Sequence, residues 1–295
     1  MAVINTNVAA TITANALTKN DRAMTQTMER LSTGKRINSA SDDAAGLAIS
    51  SKMTSQIRGL DQAVRNGNDA IAMLQTADGA MIEVGNMLQR MRELSVQASN
   101  GTLSSADLTA LNTEFLALQL EIERIADNTQ WNGDNLLNGT AGTAGLVTFQ
   151  VGYEADQTIT VNLGDLQTDG DAAYDDTAGA EVAGGIFGTD ISLVATVDID
   201  TAAEANTTLA LLDTAIAGLD AKRATIGAGI NVLEYAVDNL ANVSQNTAAS
   251  RSRIEDADYA TETTELARTQ IIAQAGTAML SQANQQPQSV LALLK

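Results

Sequence analysis

The side chains of this chain that could do chemistry are carboxylates and hydroxyls. Asp165, Asp169, Asp171, Asp175 and Asp176 crowd one Gly- and Ala-rich stretch. Oxygen ligation of a divalent cation is the chemistry such a cluster offers. The D-x-[DN]-x-[DN]-G order and its closing bidentate Glu are missing, so a solvated turn is expected. His and Cys are both absent. That excludes thiolate and imidazole metal ligands, disulfides, and Ser-His-Asp or Cys-His catalysis. No enzyme activity, metal or cofactor is expected. A second polar cluster lies in RINSASDDAAGLAISSKM, residues 36–53, where Asn38, Ser39, Ser41, Asp42, Asp43 and Gly46 stand among small residues. Ser and Asp there are N-cap candidates for a helix resuming near Ala44. Asn38 and Gly46 tolerate unusual backbone geometry. The stretch reads as a joint between helices.

The elements around these residues are long helices. Hydrophobic residues make up 44 % of the chain but aromatics only 3 %, and there is one Pro. An Ala- and Leu-rich, Pro-poor chain suits helices packed side by side. Heptad spacing supports this. The first seam runs Ala10, Ala14, Leu17, Asp21, Met24, Met28 and Leu31, with Asp21 a polar break. The second runs from Met53 through Leu60, Gly67, Leu74, Asp78 and Met81 to Leu88. The third is Leu108, Leu111, Phe115, Leu118, Ile122 and Ile125. The fourth runs from Leu209 through Ile216, Arg223, Ile226 and Leu233 to Leu240. The last helix, about 255–285, repeats Leu266, Ala273 and Leu280, with Ile272, Ala275 and Met279 as a second stripe. An arc that wide needs more than one partner helix. Pro287 is expected to interrupt it before SVLALLK, whose Val290, Leu291, Leu293 and Leu294 invite a covering partner.

The middle differs. WNGDNLLNG, residues 131–139, holds two Asn-Gly turn signals. Val147, Phe149 and Val151 alternate, as do Ile159, Val161 and Leu163, which reads as a β-hairpin. Residues 191–197 read as a short strand. The fold class is therefore mainly α, with coiled-coil helices pairing the two ends and a small β-hairpin insert. The net charge is −19, and between Arg124 and Lys222 there are 16 acids and no base. Such an acidic middle is a solvated outer surface and excludes nucleic acid, which needs a basic footprint. No apolar run approaches the roughly 18 residues of a membrane span. The stretch MAVINTNVAATITANA has no basic residue and is no conventional signal peptide.

The sequence resembles bacterial flagellin at both ends. The matching text is INTN (4–7), ERLSTGKRINSASDDAAGLAIS (29–50), NDAIAMLQTADGAM (68–81), QRMRELSVQASNGT (89–102), RSRIEDADYATE (251–262) and QANQQPQSVLALLK (282–295). The last of these separates it from hook–filament junction and needle-complex subunits. The resemblance implies a filament subunit acting in motility, found outside the cell in the flagellar filament. It implies a terminal coiled-coil core domain at 1–43 plus 255–295. It also implies a rod domain at 44–207 plus 208–254, with the hairpin and acidic turn at about 141–200. The opening joint would be the spoke between them. The family's large outer domains are missing from this short middle. A metalloprotease insert, found in some relatives, needs H-E-x-x-H and cannot operate without His.

Further expectations follow from the resemblance. They are export without a cleaved signal by the flagellar type III apparatus, an export chaperone, and contacts with filament cap and hook-junction proteins. Leu266, Leu280, Val290, Leu291, Leu293 and Leu294 would serve assembly and the chaperone. The C-terminal leucines would also meet cytosolic sensors. QRMRELSVQ, residues 89–97, resembles the stretch bound by the flagellin-sensing toll-like receptor. Arg90 and Leu94, four apart on one helix face, and Glu114 would form that surface and also pack subunits.

Overall fold

The computed structural model describes residues 7–143, 145–164, 166 and 197–293, with 286–293 described by backbone alone. Helices α1 (Val8–Thr33), α2 (Ala44–Ala98) and α3 (Ser105–Asn128) precede four short strands. These are β1 (Gln130–Trp131), β2 (Asp134–Asn135), β3 (Leu146–Gln150) and β4 (Thr158–Asn162). Helices α4 (Ala202–Glu255) and α5 (Tyr259–Leu293) follow. The acidic cluster and nearly all of the expected strand at 191–197 lie outside the described residues.

Local chemistry sets the boundaries. Asn7 Oδ1 accepts from the Ala10 amide at 3.1 Å and caps α1, which closes on Gly34 in the left-handed region. Ser104 and Asp107 form a capping box on α3. Asp258 Oδ1 accepts from the Ala260 amide at 3.0 Å at the start of α5. Asn132 and Gly133, at φ 53° and 94°, make the tight turn joining β1 to β2. The expected hairpin is present: β3 and β4 are antiparallel with Val147 opposite Val161 and Phe149 opposite Ile159.

The chain divides into two compact units, residues 1–58 with 244–295, and residues 59–243. In the second unit the predicted seams of α2, α3 and α4 meet in one core. Leu74, Met81, Leu88, Phe115, Ile122, Leu219, Ile226 and Leu233 are buried together with Leu136, Leu137 and Leu163 from the insert. The two polar breaks in those seams are partners: Arg223 Nε donates to Asp78 Oδ1 at 2.9 Å. A charge in one seam is tolerable because the facing seam supplies its counter-charge at the same level.

In the first unit α1 and α5 run antiparallel. Here two expectations are corrected. The face of α1 turned to α5 is centred on Asn20 and Thr27, both buried, whereas Ala14, Asp21 and Met28 are exposed. Leu17, Met24 and Leu31 of the expected seam are half-buried, but the alternate positions pass from Ala14, Asp21 and Met28 to Thr13, Asn20 and Thr27, because polar groups take those inner places. Asn20 Nδ2 donates to the Thr269 carbonyl at 2.8 Å, and Arg30 Nη1 meets Glu262 Oε1 at 3.2 Å. These bonds fix the register of the pair. The second correction is at Pro287, which does not interrupt α5. The carbonyl it leaves without a helical donor, Ala283 O, accepts from Asn7 Nδ2 at 2.8 Å.

Candidate assembly and recognition site

The polar joint is built by its carboxylates. Asp43 Oδ1 accepts from the Gly46 amide at 2.8 Å and caps α2. A Cβ on Gly46 would lie 2.5 Å from Asp43 Oδ2 and 2.6 Å from Ile37 Cδ1, so the cap and the buried Ile37 together require glycine. Asp42 Oδ2 accepts from the amides of Asn38 (3.2 Å) and Ser39 (2.9 Å) and from Ser39 Oγ (3.0 Å). Its Oδ1 accepts from Gln26 Nε2 at 2.8 Å, which ties the turn back to α1. Asn38 Nδ2 donates to the Lys35 carbonyl at 3.1 Å, and the Ser39 and Ser41 hydroxyls are 2.7 Å apart. The expected joint residues are therefore gathered in one turn.

Sequence reasoning missed the other half of this joint. Residues 34–36 run antiparallel to 255–257: Arg36 N donates to Glu255 O at 2.7 Å and Ala257 N to Gly34 O at 3.0 Å. Lys35 Nζ meets Glu255 Oε1 at 2.5 Å, and Arg36 Nη2 donates to the Ile254 carbonyl at 2.6 Å. The opposite charges at 35 and 255 were the only available signal, and they stand at opposite ends of the chain.

Four donors hold the Asp42 carboxyl well below the usual range, at about 2, led by the Ser39 amide and then the Gln26 side chain. A folded pKa below the unfolded value of about 3.9 stabilises the joint above that unfolded value. The contribution fades as pH falls toward about 2. Between those limits the joint should loosen in the native chain and not in Asp42→Asn. Hydrogen exchange of the Asn38 and Ser39 amides checks this, and equal pH dependence in both chains would contradict it.

The terminal pair leaves several large apolar groups outward. Val8, Ile12 and Met28 on α1 are exposed, as are Tyr259, Ile271, Ile272 and Met279 on α5. Leu266, Ala273 and Leu280 are half-buried on the side toward α1. Val290, Leu291 and Leu293 lie on the last turns of α5 by backbone, and Leu294 is outside the described residues.

In the second unit Arg90 and Glu114 are brought together. Arg90 Nε and Nη2 both donate to Glu114 Oε1, at 3.0 and 2.9 Å, and Nη1 donates to Glu93 Oε2 at 3.0 Å. Those two carboxylates raise the guanidinium pKa above its ordinary value, Glu114 more than Glu93. Glu93 went unnoticed in the sequence. Leu94 is not at this surface: it is 1 % exposed and belongs to the core. Four residues turn a helix by about 40° past a full turn, which carries position 94 from the rim inward. Leu94 holds α2 in place and presents no apolar anchor beside Arg90.

Among the described residues no group of three or more metal-ligating side chains occurs, and no helix is long and apolar enough to cross a membrane.

The family model for the bacterial flagellin N-terminal helical region matches residues 4–142, and that for the C-terminal helical region matches 209–294. The chain is 43 % identical to the flagellin of Bacillus subtilis over 99 % of both chains. It is 36 % identical to polar flagellin F of Vibrio parahaemolyticus, again over 99 % of both. The crystal structure of Bacillus cereus flagellin aligns with a TM-score of 0.47 at 29 % identity, covering 63 % of this chain and 94 % of that one. The chain belongs to the bacterial flagellin family: it is a structural subunit of the extracellular flagellar filament, polymerises with its own copies, and is no enzyme.

Proposed function

We propose that the α1–α5 pair is the assembly element of this subunit and that its outward apolar faces are covered by other copies. Residues 1–43 with 255–295 then form the filament core, and 44–207 with 208–254 form the rod, jointed at Asn38–Gly46. One observation carries the proposal: Ile12, Ile271 and Met279 are 64, 66 and 63 % exposed although the two helices are already paired. Large apolar side chains left exposed on both helices mark an interaction surface. Before assembly the same ends need shielding. The chain therefore travels unfolded through the flagellar type III apparatus, with an export chaperone on the C-terminal segment that carries Val290, Leu291, Leu293 and Leu294. The C-terminal leucines also serve cytosolic sensors. Filament cap and hook-junction proteins meet the same ends of the polymer.

The Arg90–Glu114 surface is the second half of the proposal. Released monomer presents it to the flagellin-sensing toll-like receptor, and the filament covers it. Arg90 offers a rigid, multiply donating group at an exposed site, the residue type enriched in interface hot spots. Exposed ion pairs contribute little to a fold. Arg90→Ala is therefore expected to leave the unfolding temperature nearly unchanged while lowering receptor activation roughly tenfold or more and slowing filament growth. Leu94→Ala should instead destabilise the unit by about 2–5 kcal/mol. Reporter-cell activation, measured beside thermal unfolding, separates the two. Wild-type signalling by Arg90→Ala would remove the receptor role and leave the filament role standing.

A further inference from the structure

Pro287 has no backbone N–H, so the carbonyl four residues earlier, Ala283 O, cannot be paired within the helix. Helix α5 nevertheless continues to Leu293. The donor that replaces the missing N–H is Nδ2 of Asn7, 2.8 Å from Ala283 O. The other atom of the same carboxamide, Oδ1, accepts from the Ala10 amide at 3.1 Å and caps α1. One side chain thus completes the start of the first helix and mends the last. Only an amide does both: an aspartate keeps the acceptor for the cap and loses the donor.

We infer that Asn7 makes the helix beyond Pro287 conditional on docking of α1. With Asn7 in place, α5 runs through the proline and carries Val290, Leu291 and Leu293 as helical residues. With the chain ends apart, Ala283 O has no protein donor and the helix stops at or before the proline, where the sequence alone would end it. The apolar C-terminal segment then joins the helix at the moment the two ends pair. The inference rests on the pairing of α1 with α5 and on no recognition role.

The test uses four full-length chains: the native one, Asn7→Asp, Pro287→Ala and the double variant. Asn7→Asp keeps the cap, since a carboxylate is favourable at a helix N-terminus. In the native background it should raise the critical concentration for filament growth about tenfold, as expected for a half-buried carbonyl left unpaired. In the Pro287→Ala background residue 287 supplies its own N–H, and the same change should have less than about a twofold effect. Equal effects in both backgrounds overturn the inference and leave the filament role intact. If Asn7→Asp forms no filament, Pro287→Ala must restore growth, and failure to do so also overturns it. Hydrogen exchange gives a second reading. Amides 288–293 should exchange about tenfold faster in Asn7→Asp, while amides 11–20 stay protected. Unchanged protection at 288–293, or equal loss in both segments, counts against the clasp.

Discussion

A chain lacking residues 1–43, or one lacking 255–295, is expected to form no filament at any concentration, while residues 59–243 still unfold cooperatively. Either deletion removes half of the α1–α5 pair. It takes with it Asn20 or its acceptor at Thr269, and Arg30 or its partner Glu262. The remaining helix keeps an apolar stripe but has no fixed register in which to present it. The core of the second unit is untouched, because its buried residues from Ala70 to Leu233 all lie within 59–243. Electron microscopy after seeding and calorimetry of the soluble chain read the two outcomes separately. Filaments from either truncated chain would refute the assembly role of the pair.

Phe115→Ala is expected to be the most destabilising single change in the second unit. Phe115 is fully buried among residues of α2, α4 and the insert. Truncating a buried Phe to Ala costs about 3–5 kcal/mol through lost transfer energy and the cavity left behind. For a unit of this size that lowers the unfolding temperature by roughly 6–20 °C. Leu120, on the same helix but 66 % exposed, supplies the contrast. Leu120→Ala should change the monomer by no more than about 0.5 kcal/mol. Thermal unfolding of both monomers decides this, and a shift for Phe115→Ala no larger than that for Leu120→Ala would contradict the core assignment.

The helices of the second unit were legible because their seams are ordinary: apolar residues at heptad spacing face each other. Even the polar breaks Asp78 and Arg223 were visible, though not as partners, since 145 residues separate them. The hairpin was legible from alternation, though its register was not. The first unit was harder for a physical reason. Its helices place polar Asn20, Thr27 and Thr269 inside and leave Ile12, Met28 and Ile271 exposed. Hydrophobic spacing in α1 therefore locates only half of its inner face, Leu17, Met24 and Leu31, and misses the polar half. Leu94 was misplaced because a face shared by two residues does not say which of them sits at its rim. The backbone pairing of residues 34–36 with 255–257 and the Asn7–Ala283 bond join opposite ends of the sequence, where no local pattern can reveal them.

In the proposed assembly, the bonds of Asn20 and Arg30 set the register of α1 on α5 inside one subunit, and the exposed apolar residues of both helices bind other subunits. A helical reconstruction of the filament grown from the purified chain tests it most directly. Asn20 is expected against Thr269 and Arg30 against Glu262 within each subunit, with Ile12, Ile271, Ile272 and Met279 buried against neighbouring copies. A filament in which those four residues remain in solvent, or in which α1 pairs with α5 of a different copy, would contradict it.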